Sequence, residues 1–90
     1  MQKLKQDVIL INRLGLHARA AVQLVKISQQ HQEAIIQLTR PPRSANANSV
    51  LEILMLEAQK GDTVTVLCSG QEADKALQKI CQLIQNGFNE

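Results

Sequence analysis

Apolar residues recur along this chain with one of two periods, and the changes between them divide it into seven elements. Over residues 5–11, Val8 and Leu10 fall on one side of an alternating, β-branched run and predict a strand. Ile9 and Ile11 make its second side partly apolar as well. Gly15 marks a turn over residues 13–16, after which the period becomes helical. From about 18 to 30, Ala21, Leu24, Val25 and Ser28 share a stripe with Ile27 and Val22 at its margins, and Val22 is expected to be exposed near His17. Residues 34–39 return to period two, with Ile36 and Leu38 on one face.

Neither proline of Arg40-Pro41-Pro42-Arg43 suits the positive φ of a tight two-residue hairpin, so a wider loop or a cis bond before Pro42 is expected, with both arginines solvated. Residues 44–48 read as a short polar strand or loop, followed by a cap at Asn48 or Ser49 and a helix over 50–57. Ser49 with Glu52 three residues later forms a capping box. That helix is apolar nearly all round: Ile53 and Leu56 are expected in the core, and Val50, Leu51 and Leu54 at the surface. A turn over 59–62 leads to a strand over 63–69, with Val64, Val66 and Cys68 inward and Thr63 and Thr65 on the open side. The last helix enters at Gln71 and ends at Gly87; its stripe is Ala73, Ala76, Leu77, Ile80, Leu83 and Ile84, with Cys81 at the border as a small core residue.

The order β-α-β-β-α-β-α predicts an α+β fold, a four-stranded, mostly antiparallel sheet with three helices on one face. Residues 1–90 are read as one domain. Phe88 is the only Phe, Tyr or Trp, so aromatic stacking on nucleic-acid bases is almost excluded, and a net charge of +2 does not suggest a broad polyanion surface. Cys68 and Cys81 lack metal-ligand or redox spacing and are expected to be free, and no metal or cofactor is called for. With no apolar run long enough for a signal peptide or membrane span, a reducing cytoplasm is the expected setting.

The chemistry concentrates at Gly15-Leu16-His17-Ala18-Arg19, where a histidine falls at a helix start. Unpaired N–H groups and a partial positive charge there favour an anion, and the planar donors of Arg19 match a phosphate. A neutral imidazole in that field is a competent nucleophile towards a phosphoryl group. By itself a histidine at a helix start is more often a surface residue or an improvised cap.

The element order, Gly-Leu-His-Ala-Arg at the first helix, Ser-Ala-Asn-Ala-Asn-Ser-Val before the second and the later Lys-Gly-Asp resemble the HPr family of histidine-containing phosphocarriers, over almost the whole chain. Asn-Ser-Val, Leu-Met-Leu and the closing Asn-Gly-Phe-Asn-Glu are closest to its nitrogen branch, the NPr type. The resemblance implies an open-faced β-sandwich. It also implies a phosphorelay in which phosphate from phosphoenolpyruvate passes through an enzyme I to Nδ1 of His17, supported by Arg19, and on to a histidine of an enzyme IIA. The chain would be a carrier rather than a stand-alone enzyme; the alternative is an HPr-like regulator that gates a partner without relaying phosphate.

The phosphate is expected among the first-turn residues Ala18, Arg19 and Ala20, and the partner face at Leu16, Val22, Lys26, Val50, Leu51 and Leu54. Ser49 aligns with a serine that a regulatory kinase modifies in some relatives, although its residue type favours the cap. One departure stands out: Ala20 occupies the place where the motif reads proline, which lowers helix preorganisation by about 0.5–1 kcal/mol.

Overall fold

The strands alternate because each buries one side only, and they combine into a single antiparallel sheet in the order β1-β4-β2-β3. In the computed structural model, which describes residues 3–90, these are β1 (Lys3–Ile9), β2 (Ala34–Arg40), β3 (Arg43–Asn46) and β4 (Thr63–Gly70). The helices are α1 (Ala18–Gln30), α2 (Val50–Met55) and α3 (Ala73–Gln85). Register places Val8 opposite Val64, and Ile36 and Leu38 opposite Cys68 and Val66. These buried side chains meet Leu24 of α1, Ile53 of α2 and Ile80 and Ile84 of α3 to form one core. Each large aliphatic side chain fully removed from water there contributes about 1.5–3 kcal/mol.

The other face of the sheet is open and mostly polar. Thr65 donates from Oγ1 to Asp7 Oδ1 at 2.7 Å, while Ile9 and Ile35 lie exposed. The predicted open-faced architecture and element order are therefore those of the folded chain. Among the described residues no helix is long and apolar enough to cross a membrane.

Local differences have identifiable causes. β1 ends at Ile9 rather than Ile11, because Leu10 pairs with the turn after α2 instead of a strand: its N–H donates to Asp62 C=O at 3.0 Å and its C=O accepts from Gly61 N–H at 2.8 Å. Between β2 and β3 the Pro41-Pro42 bond is cis, and Arg40 and Arg43 lie directly opposite each other. Arg40 is paired and partly sheltered rather than solvated, whereas Arg43 stays exposed as expected, with a surface ion pair. Arg40 donates from Nε to Asp62 at 3.0 Å and from its terminal nitrogen to Leu56 C=O at 3.3 Å, while Arg43 lies 3.3 Å from Glu57.

Ser49 caps α2 by accepting from Glu52 N–H at 3.1 Å. The Glu52 carboxylate reaches past Ser49 to accept from Asn46 N–H at 3.0 Å, so the reciprocal half of the capping box falls on β3. α2 stops at Met55, short of the expected 57, because Glu57 turns the chain at φ 53°.

Candidate functional site

The loop before α1 is fixed from both ends. Asn12 C=O accepts from Gly15 N–H at 3.2 Å, and Asn12 Nδ2 donates back to Gly15 C=O at 2.9 Å. Gly15 sits at φ +60° with its Cα against the chain after α2; a Cβ would lie 2.6 Å from Ala58 C=O, which leaves room only for glycine. Leu16 then donates to that same Ala58 C=O at 3.1 Å and buries its side chain.

This anchoring delivers His17 in extended geometry, φ −87° and ψ 178°, as the N-cap of α1. Its C=O accepts the first helical bond, from Ala21 N–H at 2.9 Å. An N-cap side chain usually accepts from the first-turn amides, but the imidazole makes no such bond, and the first turn carries no acidic residue. The positive end of the helix is thus left open to an external anion.

Glu90 takes up the other side of the ring. After α3 the chain turns through Gly87, Phe88 and Asn89, all near φ +60°, with Phe88 buried at 2 % exposure. That anchor places the Glu90 side chain over the site, where Oε2 meets His17 Nε2 and lies 3.6 Å from the Arg19 guanidinium. Oε1 accepts from Asn12 Nδ2 at 3.2 Å. The bond from His17 above all, then that from Asn12 and the charges of His17 and Arg19, hold the Glu90 carboxyl below its ordinary value against an opposing desolvation.

An ionised carboxylate only accepts hydrogen bonds, so Nε2 carries a ring hydrogen, and in the neutral form of the imidazole the free lone pair is then on Nδ1. Among the described residues no protein atom bonds to Nδ1, and it is not among the buried, unpaired polar atoms. The other histidine, His31, is buried at the far end of α1 with Nδ1 3.1 Å from Glu72, which removes it as a second candidate.

The structure brings together His17, Arg19 and the exposed Ala18. Ala20 is fully buried and packs into the core, so the accessible part of the first turn is narrower than expected. Val22, at 42 %, and Leu51, at 68 %, are exposed, as is Lys26. Three expected surface positions are corrected. Leu16 is only 5 % exposed because its backbone is tied down to Ala58, and Val50 and Leu54 are partly buried against the core because α2 lies flat on it. Leu51 is exposed as expected, and Met55 joins it.

Asn12 and Glu90 were not singled out in the sequence. Glu90 gives no local signal, since its role depends on a contact across 73 residues. Asn12 lies within the motif stretch, and Asn is a residue type favoured at turns, the one signal that could have flagged it. Among the described residues no group of three or more His, Cys, Asp or Glu is placed to hold a metal ion.

The family model described as "PTS HPr component phosphorylation site" matches residues 4–86. The chain belongs to the PTS HPr family. It is 44 % identical over 90 residues to the phosphocarrier protein NPr of Shewanella violacea, covering 100 % of this chain and 98 % of that one. It is 35 % identical over 86 residues to NPr of Escherichia coli K12, with 96 % of each covered. Among solved structures it is similar to HPr-C-His from Thermoanaerobacter tengcongensis, with a TM-score of 0.88 at 26 % identity, covering 100 % of this chain and 98 % of that one. The open-faced fold expected from the sequence is thus the fold of this family.

Proposed function

We propose that this HPr-family chain carries a phosphoryl group on His17, taking it from an enzyme I and passing it to a histidine of an enzyme IIA. The NPr names of its relatives favour the nitrogen branch. The observation that carries the reading is the pairing of His17 Nε2 with Glu90, which leaves the lone pair of Nδ1 at the mouth of a helix N-terminus.

In the step this geometry supports, Nδ1 attacks phosphorus in line on the donor's phosphohistidine. The new N–P bond forms as the donor's N–P bond breaks, and the donor nitrogen recovers its electron pair. Glu90 accepts from Nε2–H and stabilises the positive charge that develops on the ring. Arg19 and the amides of Ala18 and Arg19 face the phosphoryl oxygens. Onward transfer is the same exchange in reverse, with the acceptor histidine as nucleophile. Among the described residues no protein atom is hydrogen-bonded to Nδ1, which leaves it to the incoming phosphorus and the second histidine. Leu51, Met55, Val22 and Lys26 form the surrounding contact surface, small enough for a partner that must leave after each transfer.

Incubation with phosphoenolpyruvate and the cognate enzyme I is the test. The chain is expected to gain one acid-labile phosphoryl group, absent in His17→Ala, and to lose it on addition of an enzyme IIA. A chain that never gains that mass is not a carrier; one that gains it and does not pass it on is a regulator.

A further inference from the structure

β1 is an outer strand of the sheet, paired with β4 on one side and, among the described residues, with no strand on the other. In an antiparallel pair every second residue turns its N–H and C=O away from the neighbour. The outer margin of β1 therefore carries a row of backbone donors and acceptors open to another chain. Of its seven residues, Lys3, Lys5, Gln6, Asp7 and Ile9 are exposed. Lysines on an edge strand ordinarily deter pairing with other chains. Here Asp7 supplies their complement, because the strand matches itself when turned end for end about Gln6.

Alternation sets Lys3, Lys5, Asp7 and Ile9 on the open face and Leu4, Gln6 and Val8 on the core side. Two copies of β1 laid antiparallel, with Gln6 opposite Gln6, bring Lys5 of each against Asp7 of the other. Leu4 then meets Val8, and Lys3 lays its methylene stem along Ile9, which is 56 % exposed in the single chain. Centring the pair on Lys5 or on Asp7 instead sets that residue against its own charge, so the side chains select one register. The charges are available for it. Among the described residues Lys3 and Lys5 form no ion pair, and Asp7 uses only Oδ1, which accepts from Thr65 Oγ1 at 2.7 Å.

We propose that the free margin of β1 docks a second copy of this chain, through an antiparallel β1–β1 pair centred on Gln6 that carries the sheet across both molecules. The contact is isologous, since the two-fold axis at Gln6 exchanges each Lys5–Asp7 pair with the other. One strand edge of ~23 Å, at ~3.3 Å per residue, offers little area beside a standard interface, so the pair forms reversibly and at high concentration. It uses neither His17 nor Glu90 and rests on no step of the relay.

Sedimentation equilibrium and amide NMR of the unaltered chain, from micromolar to millimolar concentration, are the test. Reversible dimerisation is expected, with shifts and slowed hydrogen exchange centred on residues 3–9. Lys5→Glu sets an acid against Asp7 of the second copy, and Asp7→Lys sets a base against its Lys5, so each variant alone is expected to dimerise about tenfold or more weakly. Mixed in equal amounts, the two variants face each other with opposite charges at both places. Association is then expected to return to within about threefold of that of the unaltered chain. The proposal is overturned by a chain that stays monomeric at millimolar concentration, by single variants that associate as the unaltered chain does, by a mixture of folded variants that fails to recover, or by shifts that lie away from residues 3–9.

Discussion

Glu90 and His17, 73 residues apart in sequence, share a hydrogen bond that decides which ring nitrogen is free. A carboxamide in place of the carboxylate can present its N–H to Nε2 and favour the wrong tautomer. Glu90→Gln is therefore expected to slow phosphorylation of His17 by about three- to tenfold, equivalent to ~0.5–1.5 kcal/mol for one such bond. Rapid-quench transfer from phosphorylated enzyme I measures it, and an unchanged rate would remove Glu90 from the mechanism.

Acid should release the same contact. The Glu90 carboxyl is held below its ordinary value near 4.5, chiefly by His17, so its contribution to docking over the site is complete above that value. It is lost as pH falls through the lowered folded value. The ¹³C shift of the Glu90 carboxyl reports this, and a midpoint at or above the ordinary value would contradict the contact.

Arg19 separates function from stability. Its side chain is 70 % exposed, and its 3.6 Å pairing with Glu90 is a surface contact of the kind that contributes little. Arg19→Ala should shift unfolding by less than ~0.5 kcal/mol. Phosphoryl acceptance should fall by about tenfold or more, because two charge-assisted donors are lost. Arg19→Lys is expected to recover only part of the rate, since it restores the charge without the fork.

At Ala20 the N–H precedes the first helical bond, which runs from Ala21 to His17, so a proline removes no intrahelical partner. Ala20→Pro is expected to stabilise the chain by ~0.5–1 kcal/mol through the unfolded state. Urea unfolding measures it. A loss of stability would mean that the buried packing around Ala20 has no room for the ring.

Burial pushes the thiols of Cys68 and Cys81 up to about 11 from 9.0, with Cys81 adding to the effect at Cys68. The folded chain therefore binds protons that the unfolded chain releases, and stability should fall as pH rises from about 9 to about 11. At pH near neutrality a thiol reagent is expected to label neither residue until denaturant is added. Labelling of the native chain at the rate of a free thiol would show that the core at β4 and α3 opens readily.

Much of this was legible because period and burial are local. The Val64, Val66 and Cys68 alternation and the Ala73 to Ile84 stripe required only one buried face each, and both are where the pattern placed them. His17 was legible for the same reason, since a turn at Gly15 and a helical stripe beginning at Ala21 leave it only the cap. What escaped depended on tertiary placement. Nothing in Val50-Leu51-Glu52-Ile53-Leu54 says that α2 lies flat enough to shelter Val50 and Leu54 while exposing Leu51. Arg40 looked solvated until the turn at Asp62 was folded beneath it.

The anchoring of Phe88 gives the His17 ring an unusual dependency. Because an apolar plug sets where the acid beside His17 lies, the relay proposed above predicts that a purely aliphatic substitution around that plug slows phosphate transfer without altering any polar group at the site. On that reading, transfer rate and amide protection of this one segment are expected to fall together.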